Sequence, residues 1–390
     1  MSSKLLSIKV FLTICLMCII GGGNCAWAQE TYTYTKVTSE DQLVAGGHYI
    51  IVNESAKAAL GKQNNNNRSA FKSLTFNNNE TSISKSDIAT SSSDSKIYDL
   101  ILGGESGAWT FYDTCNNGYL YAASSSANQL KVQTTISNNC KASITLAANG
   151  NATIKFTGTY TRNLLKYNSG STLFSCYSSG QQVVQLYVRT TPIPLTTAQY
   201  GTYFTTDAFV MPEGVTGYTI TAKDGENLTL NEAYTAGTTV PASTALVLKA
   251  TEELTESKTF NAVVVNSTEV APTDNLLHGT VEAAQTNVEG TNVSYYKLAN
   301  GDKGIGFYYG AENGAAFTNG AHKAYLAVTG TMSQMKGFSL DGMTTGINQV
   351  STANTVNNAN IYDLNGRRIQ SLSAAQKGIY IVGGKKVIVK

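Results

Sequence analysis

Charge, histidine, proline and tryptophan are all scarce in this chain of 390 residues. Charged residues make up 14% of it, and only 3 histidines, 5 prolines and 2 tryptophans occur. None of His48, His278 and His322 has a second metal-type ligand at a short, regular spacing. A metal centre needs three or four converging ligands, so no metal is expected, and no other cofactor. No Gly-x-Ser-x-Gly elbow and no Walker phosphate loop is present, and Gly304-Ile305-Gly306 lacks the rest of a dinucleotide fingerprint. Helical periodicity is nearly absent after the first 28 residues.

Those first residues have their own pattern. Lys4 and Lys9 precede an apolar run from Val10 to Ile20, and Ala26-Trp27-Ala28 offers small residues where a signal peptidase reads. Residues 1–28 read as a secretory signal peptide cut between Ala28 and Gln29. The run is short for a bilayer span, so no transmembrane segment is expected in the mature chain. The alternative is a lipoprotein using Cys25, which Gly22-Gly23-Asn24 fits poorly. The full chain carries 28 Lys+Arg and 26 Asp+Glu. Without the two signal lysines the charges balance, leaving no basic excess for phosphate backbones. Nucleic acid is therefore not expected as a partner. Cys115, Cys140 and Cys176 remain after cleavage. Either Cys115 and Cys140 pair across a loop or all three are buried thiols.

Short apolar or alternating runs recur between Gly, Asn, Ser and Thr clusters: HYIIV, YDLIL, ATIKF, VVQLYV, ALVLKA, AVVV and YIV. Their length, β-branching and punctuation are those of strands, so the chain is expected to be all-β. Residues 29–191 hold a faint repeat. Trp109/Ile154, Phe111/Phe156 and Leu120/Leu165 share a spacing of 45 residues. Gly47 to Ile51 reads as an earlier copy of the Gly118-Tyr119-Leu120 strand, and Val184 to Tyr187 as a copy of YDLIL. Three such units predict a β-trefoil or small closed barrel. Asn64–Asn67, Asn77–Asn79 and Ser91–Ser93 read as long loops in the first unit.

Thr190-Thr191-Pro192-Ile193-Pro194 marks a boundary. Residues 195–337 form a second β-module, read as a sandwich, and 338–360 a Thr/Asn-rich linker. The last stretch, 361–390, predicts two hairpins. One turns at Asn365-Gly366 and the other at Gly383-Gly384, pairs that supply the positive φ of a tight turn.

This ending carries a resemblance. From Thr345-Gly346-Ile347 through IYDLNGRRI to KGIYIVGGKKVIVK it resembles the C-terminal sorting domain of type IX secretion cargo. Tyr362, Asp363, Gly366 and Arg367 match in the first hairpin, and Gly378, Tyr380 and Lys386 in the second. The family domain is usually longer. The resemblance implies export machinery of the outer membrane as a partner, and release from or attachment to a Gram-negative cell surface. YGTYFTTDAFVMPEGVTGYT, VPASTALVLKA and HKAYLAV, with LVAGGHYIIV and NGYLYAA earlier, resemble modules of large secreted proteins of such bacteria. These modules usually accompany a peptidase, nuclease or glycosidase.

Paired carboxylates could make a glycosidase, with Asp99, Glu105 and Asp113 as nearest candidates, but sequence shows no separation. Cys176, in Phe174-Ser175-Cys176-Tyr177, reads as a buried thiol rather than a nucleophile. Tyrosine is abundant at 22 residues, and its flat face and hydroxyl suit sugars and protein surfaces. Tyr119 and Tyr121 share a strand face, and Tyr167 lies in the related unit, so these three are the ligand-binding candidates, against a bland reading as core covering. The expectation is a secreted or cell-surface, non-catalytic protein binding glycan or protein. The alternative is a set of accessory modules, or the remnant of a secreted hydrolase.

Overall fold

The computed structural model describes residues 31–224, 227–302, 304–329, 336–340, 361–363, 368–369, 378–382 and 385–389. The protein is all-β. Its helical pieces among the described residues are four three-residue 3-10 turns. The chain divides into two compact units, the first ending its main run at Ile193.

The first unit is built from β1 (Thr31–Lys36), β2 (His48–Asn53), β3 (Ala58–Asn64), β4 (Asn67–Lys72), β5 (Glu80–Ser84), β6 (Leu100–Gly103), β7 (Thr110–Asp113), β8 (Gly118–Ala122), β9 (Leu130–Gln133), β10 (Ala142–Leu146), β11 (Asn151–Phe156), β12 (Leu164–Asn168), β13 (Leu173–Tyr177) and β14 (Val184–Leu195). Strands β6 to β9 form one antiparallel meander and β10 to β13 a second. The remaining meander is split in sequence. β14 pairs with β2, placing Tyr187 opposite Ile50, as β6 pairs with β7 and β10 with β11. β3 and β4 complete it.

This pairing corrects the expected alignment of the first repeat. Strand β2 is the counterpart of the Trp109–Phe111 strand, not of Gly118–Tyr121. Tyr49, Ile51 and Leu60 then match Trp109, Phe111 and Leu120 at one constant offset of 60 residues, and all six join Ile154, Phe156 and Leu165 in one core. Fully burying each large apolar side chain is worth about 1.5–3 kcal/mol, so these layers are a main source of stability. A glycine before apolar residues is a local likeness. Hydrogen-bond partners decide which strand is equivalent.

Two Asn clusters expected as long loops are tight turns. Asn64 pairs with Asn67 across β3 and β4, with Asn65 at φ +50°. Asn77 bridges Glu80, with Asn78 and Asn79 at φ +48° and +65°. Asn tolerates left-handed backbone, which two-residue turns of this hand require.

A buried ion pair ties β4 to β7. Arg68 Nη1 donates to Asp113 Oδ2 at 2.6 Å and Nε to the Gly61 carbonyl at 2.7 Å. The guanidinium carbon lies 4.6 Å from the centre of the Tyr98 ring. Arg68 is 0% exposed and Asp113 1%. Burial pulls the Arg68 pKa down, and Asp113 opposes it.

The chain returns to this unit twice after leaving it. Residues 208–212 and 260–268 belong to it, although both fall inside the expected 195–337 module. Ala208–Val210 pairs with Lys258–Val265, Val265 bridges Gly47, and the Asn266 N–H donates to the Gly46 carbonyl.

The main sheet of the second unit has nine strands among the described residues. Its spatial order is Tyr200–Tyr203, Leu246–Ala250, Val215–Asp224, Asn227–Tyr234, Gly337–Ser339, Gly304–Tyr309, Ser294–Gly301, Lys323–Val328, Leu277–Thr280. The sheet curls on itself. The Phe204 N–H donates to the His322 carbonyl, and the Ala324 N–H to Thr202 Oγ1. Opposed inner faces share a sandwich-like core that includes Ile220, Val247, Tyr296, Phe307 and Leu326. The expected linker starts too early, because Phe338 and Leu340 are buried in that core. The C-terminal stretch forms a four-stranded sheet in the order Arg368–Ile369, Ile361–Asp363, Gly378–Val382, Lys385–Val389. Its expected turns lie outside the described residues. Cys115, Cys140 and Cys176 are free thiols.

Removing one member of a buried pair strands the other charge, at a cost of about 3–5 kcal/mol. Asp113→Ala is therefore expected to lower unfolding free energy by about that much. Arg68→Met with Asp113→Leu should cost less than Asp113→Ala alone. Urea denaturation of the three proteins checks the order.

Candidate functional site

The turn between β2 and β3 sets up an open cleft on the first unit. Asn53 Oδ1 accepts the Ala56 N–H at 2.8 Å, and Lys57 closes the turn at φ +51°. Glu54 is thereby held at the surface, its own N–H donating to Gln185 Oε1. Its Oε1 accepts from Lys36 Nζ at 2.8 Å and from the Tyr187 hydroxyl at 2.9 Å. The Lys36 side chain is only 9% exposed and that of Glu54 29%, so the pair is partly desolvated and its geometry fixed. Burial, then the hydrogen bond and charge of Glu54, push the Tyr187 phenol well above its usual range, so it stays a donor. Phe76 packs on Tyr187 with ring centres 5.2 Å apart. Lys57, Thr75, Asn78 and Asn79 complete a cleft of about 310 Å³.

The chemistry of this cleft follows from its polar atoms. Glu54 Oε2 has no hydrogen bond among the described residues, so an ionised carboxylate offers one open acceptor. Lys57 supplies a donor and Phe76 a partly exposed apolar ring. A free anion meets the Glu54 charge, and a free cation meets Lys57 and Lys36. A neutral, hydroxyl-rich ligand meets neither penalty. Acid-base hydrolysis of a glycoside commonly uses two facing carboxyl groups, and Glu54 is the one carboxylate lining this cleft.

A second polar group lies elsewhere on the unit. His48 Nδ1 is 2.9 Å from Asp99 Oδ2, and Nε2 is 3.0 Å from Asn266 Oδ1. The nitrogen that would serve a nucleophile in a catalytic triad thus faces a carboxamide. Burial lowers the His48 pKa, but the Asp99 hydrogen bond and charge, with Asn266, outweigh it and the net shift is upward.

The residues singled out by sequence fall in different places. Tyr119 and Tyr121 are half-buried on one face of β8, opposite Gln133 and Lys131 of β9, and Tyr119 packs on Tyr112 at 5.0 Å. Tyr167 is 1% exposed, facing the core beside Phe174, and offers no surface to a ligand. Its register position alternates inward with Leu165, which spacing alone did not show. Asp113 is spent on Arg68, Asp99 on His48, and Glu105 is exposed. Trp109, Cys140 and Cys176 are buried. His278 stacks on Tyr325, and burial lowers its pKa. His322 Nδ1 lies 3.1 Å from the Phe204 carbonyl. No group of three or more metal-type ligands occurs among the described residues.

Of the sorting-type residues, Tyr362 pairs with Arg368 and Ile381, Asp363 with Tyr380, Gly378 with Val389, and Lys386 with Ile381. Gly366, Arg367, Ala28 and Gln29 lie outside the described residues. Glu54, Lys57, Phe76 and Tyr187 were not singled out. The cue was an acid and a lysine in the short gap between two strands, against an aromatic in the Asn-rich stretch that follows.

No family model matches the chain, and no curated protein matches it. Several solved structures do. A GH43 beta 1,3-galactosidase is 12% identical over 40% of this chain and 29% of its own, with a TM-score of 0.28. The β-trefoil BEL, in an apo crystal form, is 11% identical over 37% of this chain and 94% of its own, at 0.26. A mosquitocidal holotoxin is 10% identical over 72% of this chain and 40% of its own, also at 0.26. The chain spans less than a third of the galactosidase. At these scores the likeness assigns no activity.

The His48 cluster yields a pH dependence. A folded-state pKa above the ordinary 6.5 means bound protons stabilise the fold. That contribution is complete below pH about 6.5 and is lost as pH rises through the folded pKa. NMR titration of the imidazole is expected to show a midpoint above 6.5. In Asp99→Asn, which leaves burial and the charge of Arg189, the midpoint should drop. A wild-type midpoint at or below the ordinary value would contradict the assignment.

Proposed function

We propose that this is a secreted or cell-surface binding protein without catalysis of its own, taking neutral glycans in the Glu54 cleft. The observation that carries the reading is the Glu54 carboxylate. Two donors, Lys36 and Tyr187, hold one of its oxygens, leaving the other open beside Phe76 and Lys57. A fixed carboxylate accepts sugar hydroxyls strongly, and an aromatic ring covers the apolar side of a pyranose. The cleft's volume of about 310 Å³ sits at the low end for small-molecule sites, which run from about 300 to 1,000 Å³. That size fits the end of a chain, not a long segment. Export follows the resemblance of residues 361–390 to a type IX sorting domain, with outer-membrane machinery as the partner.

Two measurements test this. On a glycan array, wild-type protein is expected to bind neutral glycans. Glu54→Gln and Phe76→Ala should each lose about tenfold or more in affinity, since a charge-assisted hydrogen bond is worth about 1.5–3 kcal/mol. Unchanged binding in both variants, with unchanged melting temperature, would remove the cleft from the function. Intact mass of the native protein tests export: a product running from Gln29 and ending before Ile361 supports a cleaved address, and retention of Lys390 counts against it.

A further inference from the structure

We propose a second sugar-binding site on the first unit, independent of the Glu54 cleft, built from Gln63, Asn116, Lys131 and Gln133. These residues line a separate cleft of about 220 Å³ with Asn65, Val132 and Thr134. Its turn is the counterpart of the Glu54 turn, one repeat along. Asp113 Oδ1 accepts the Asn116 N–H as Asn53 Oδ1 accepts the Ala56 N–H. Asn117 sits at φ +49° as Lys57 sits at +51°.

The decisive observation is how three side-chain amides are oriented. Gln63 Nε2 donates to the carbonyls of Asn65, Asn67 and Leu130 at 3.0, 3.0 and 3.1 Å. Asn116 Nδ2 donates to Asp113 Oδ2 at 2.7 Å. Gln133 Nε2 donates to the Thr135 carbonyl at 2.6 Å and to Ser137 Oγ at 2.9 Å. Every NH₂ group is committed within the protein, which fixes which end of each amide is which. The three amide oxygens accept no hydrogen bond among the described residues, and Gln63 Oε1 is buried without a partner. Gln63 Oε1 is closed to solvent, so the acceptors open to a ligand are the oxygens of Asn116 and Gln133, on side chains that are only half-buried.

The class of donor follows from charge. Open amide oxygens repel an anion. The Lys131 ammonium opposes a metal or organic cation, and no carboxylate lines the cleft to offset it. A neutral group with several hydroxyls satisfies both sets, donating to the amide oxygens and accepting from Lys131. Tyr119 and Tyr121 stand directly across from Gln133 and Lys131 on the same face of the sheet, placing aromatic surface beside the cleft. Sugar residues are neutral, hydroxylated and apolar on one face.

The test uses the nitrogen-labelled mature chain, titrated separately with glucose, galactose, mannose and N-acetylglucosamine. At least one sugar is expected to shift the side-chain amide signals of Gln63, Asn116 and Gln133 saturably. Thr134→Trp, at an exposed position, should fill the cleft and weaken this response about tenfold or more, while leaving Asn78 and Asn79 of the Glu54 cleft unchanged. Lys131→Ala, which leaves the space open, should weaken the response less than Thr134→Trp. No shift of the three amides with any of the sugars would overturn the proposal, as would equal shifts in Thr134→Trp. A response here with none at Asn78 and Asn79 would sink the Glu54 reading and leave this one standing.

Discussion

A closed sheet has no free edge only if its last strand finds its first, and in this protein β14 has to do that. It pairs with β1 and β11 along one side and with β2 along the other, so between Gln185 and Val188 it has partners on both sides. The same strand organises the surface. Gln185 on β14 accepts the Glu54 N–H and donates to Asn151 at 2.6 Å. Tyr187, two residues on, delivers its hydroxyl to Glu54. The cleft is thus held by a strand that the core already immobilises. A site on rigid elements keeps its geometry at little entropic cost when a ligand arrives.

The repeat gives each turn the same backbone and lets the side chains diverge. Asn53 and Asp113 make the same turn-forming hydrogen bond. Asp113 has a second task, because its other oxygen neutralises Arg68 inside the unit. In the other copy the turn carries a surface carboxylate, Glu54, whose partners are a lysine and a tyrosine. One scaffold therefore spends its acid inward in one repeat and presents it outward in another.

Much of the architecture was legible because it is local. Apolar alternation and β-branching marked the strands. The spacing of Trp109/Ile154, Phe111/Phe156 and Leu120/Leu165 marked two successive meanders around a shared core. The first meander was misaligned by one strand, since its first member, β14, lies at the far end of the unit. The Asn clusters read as long loops because composition does not distinguish a polar excursion from a two-residue turn in left-handed backbone. The candidate sites were less legible. Residue type leaves Tyr167 open between ligand contact and core covering, and its register turns it into the core. Glu54, Tyr187 and Phe76 are far apart in sequence, and only strand pairing brings them together. The orientation of the Gln63, Asn116 and Gln133 amides depends on hydrogen-bond partners that no spacing rule reveals.

The two returns of the chain, at 208–212 and 260–268, bear on how this protein can be inherited and cut. A module whose residues form one unbroken stretch can be duplicated, lost or transferred as a block. Here a break between Ile193 and Pro194 would separate the first unit from two of its own segments, including the Phe209–Val264 pairing. The unit therefore has no single contiguous cassette. Recombination within residues 194–268 would deliver an incomplete copy, and a recombinant fragment that stops at Ile193 would leave the Gly46 carbonyl without the Asn266 N–H that meets it and Gly47 without its bridge to Val265.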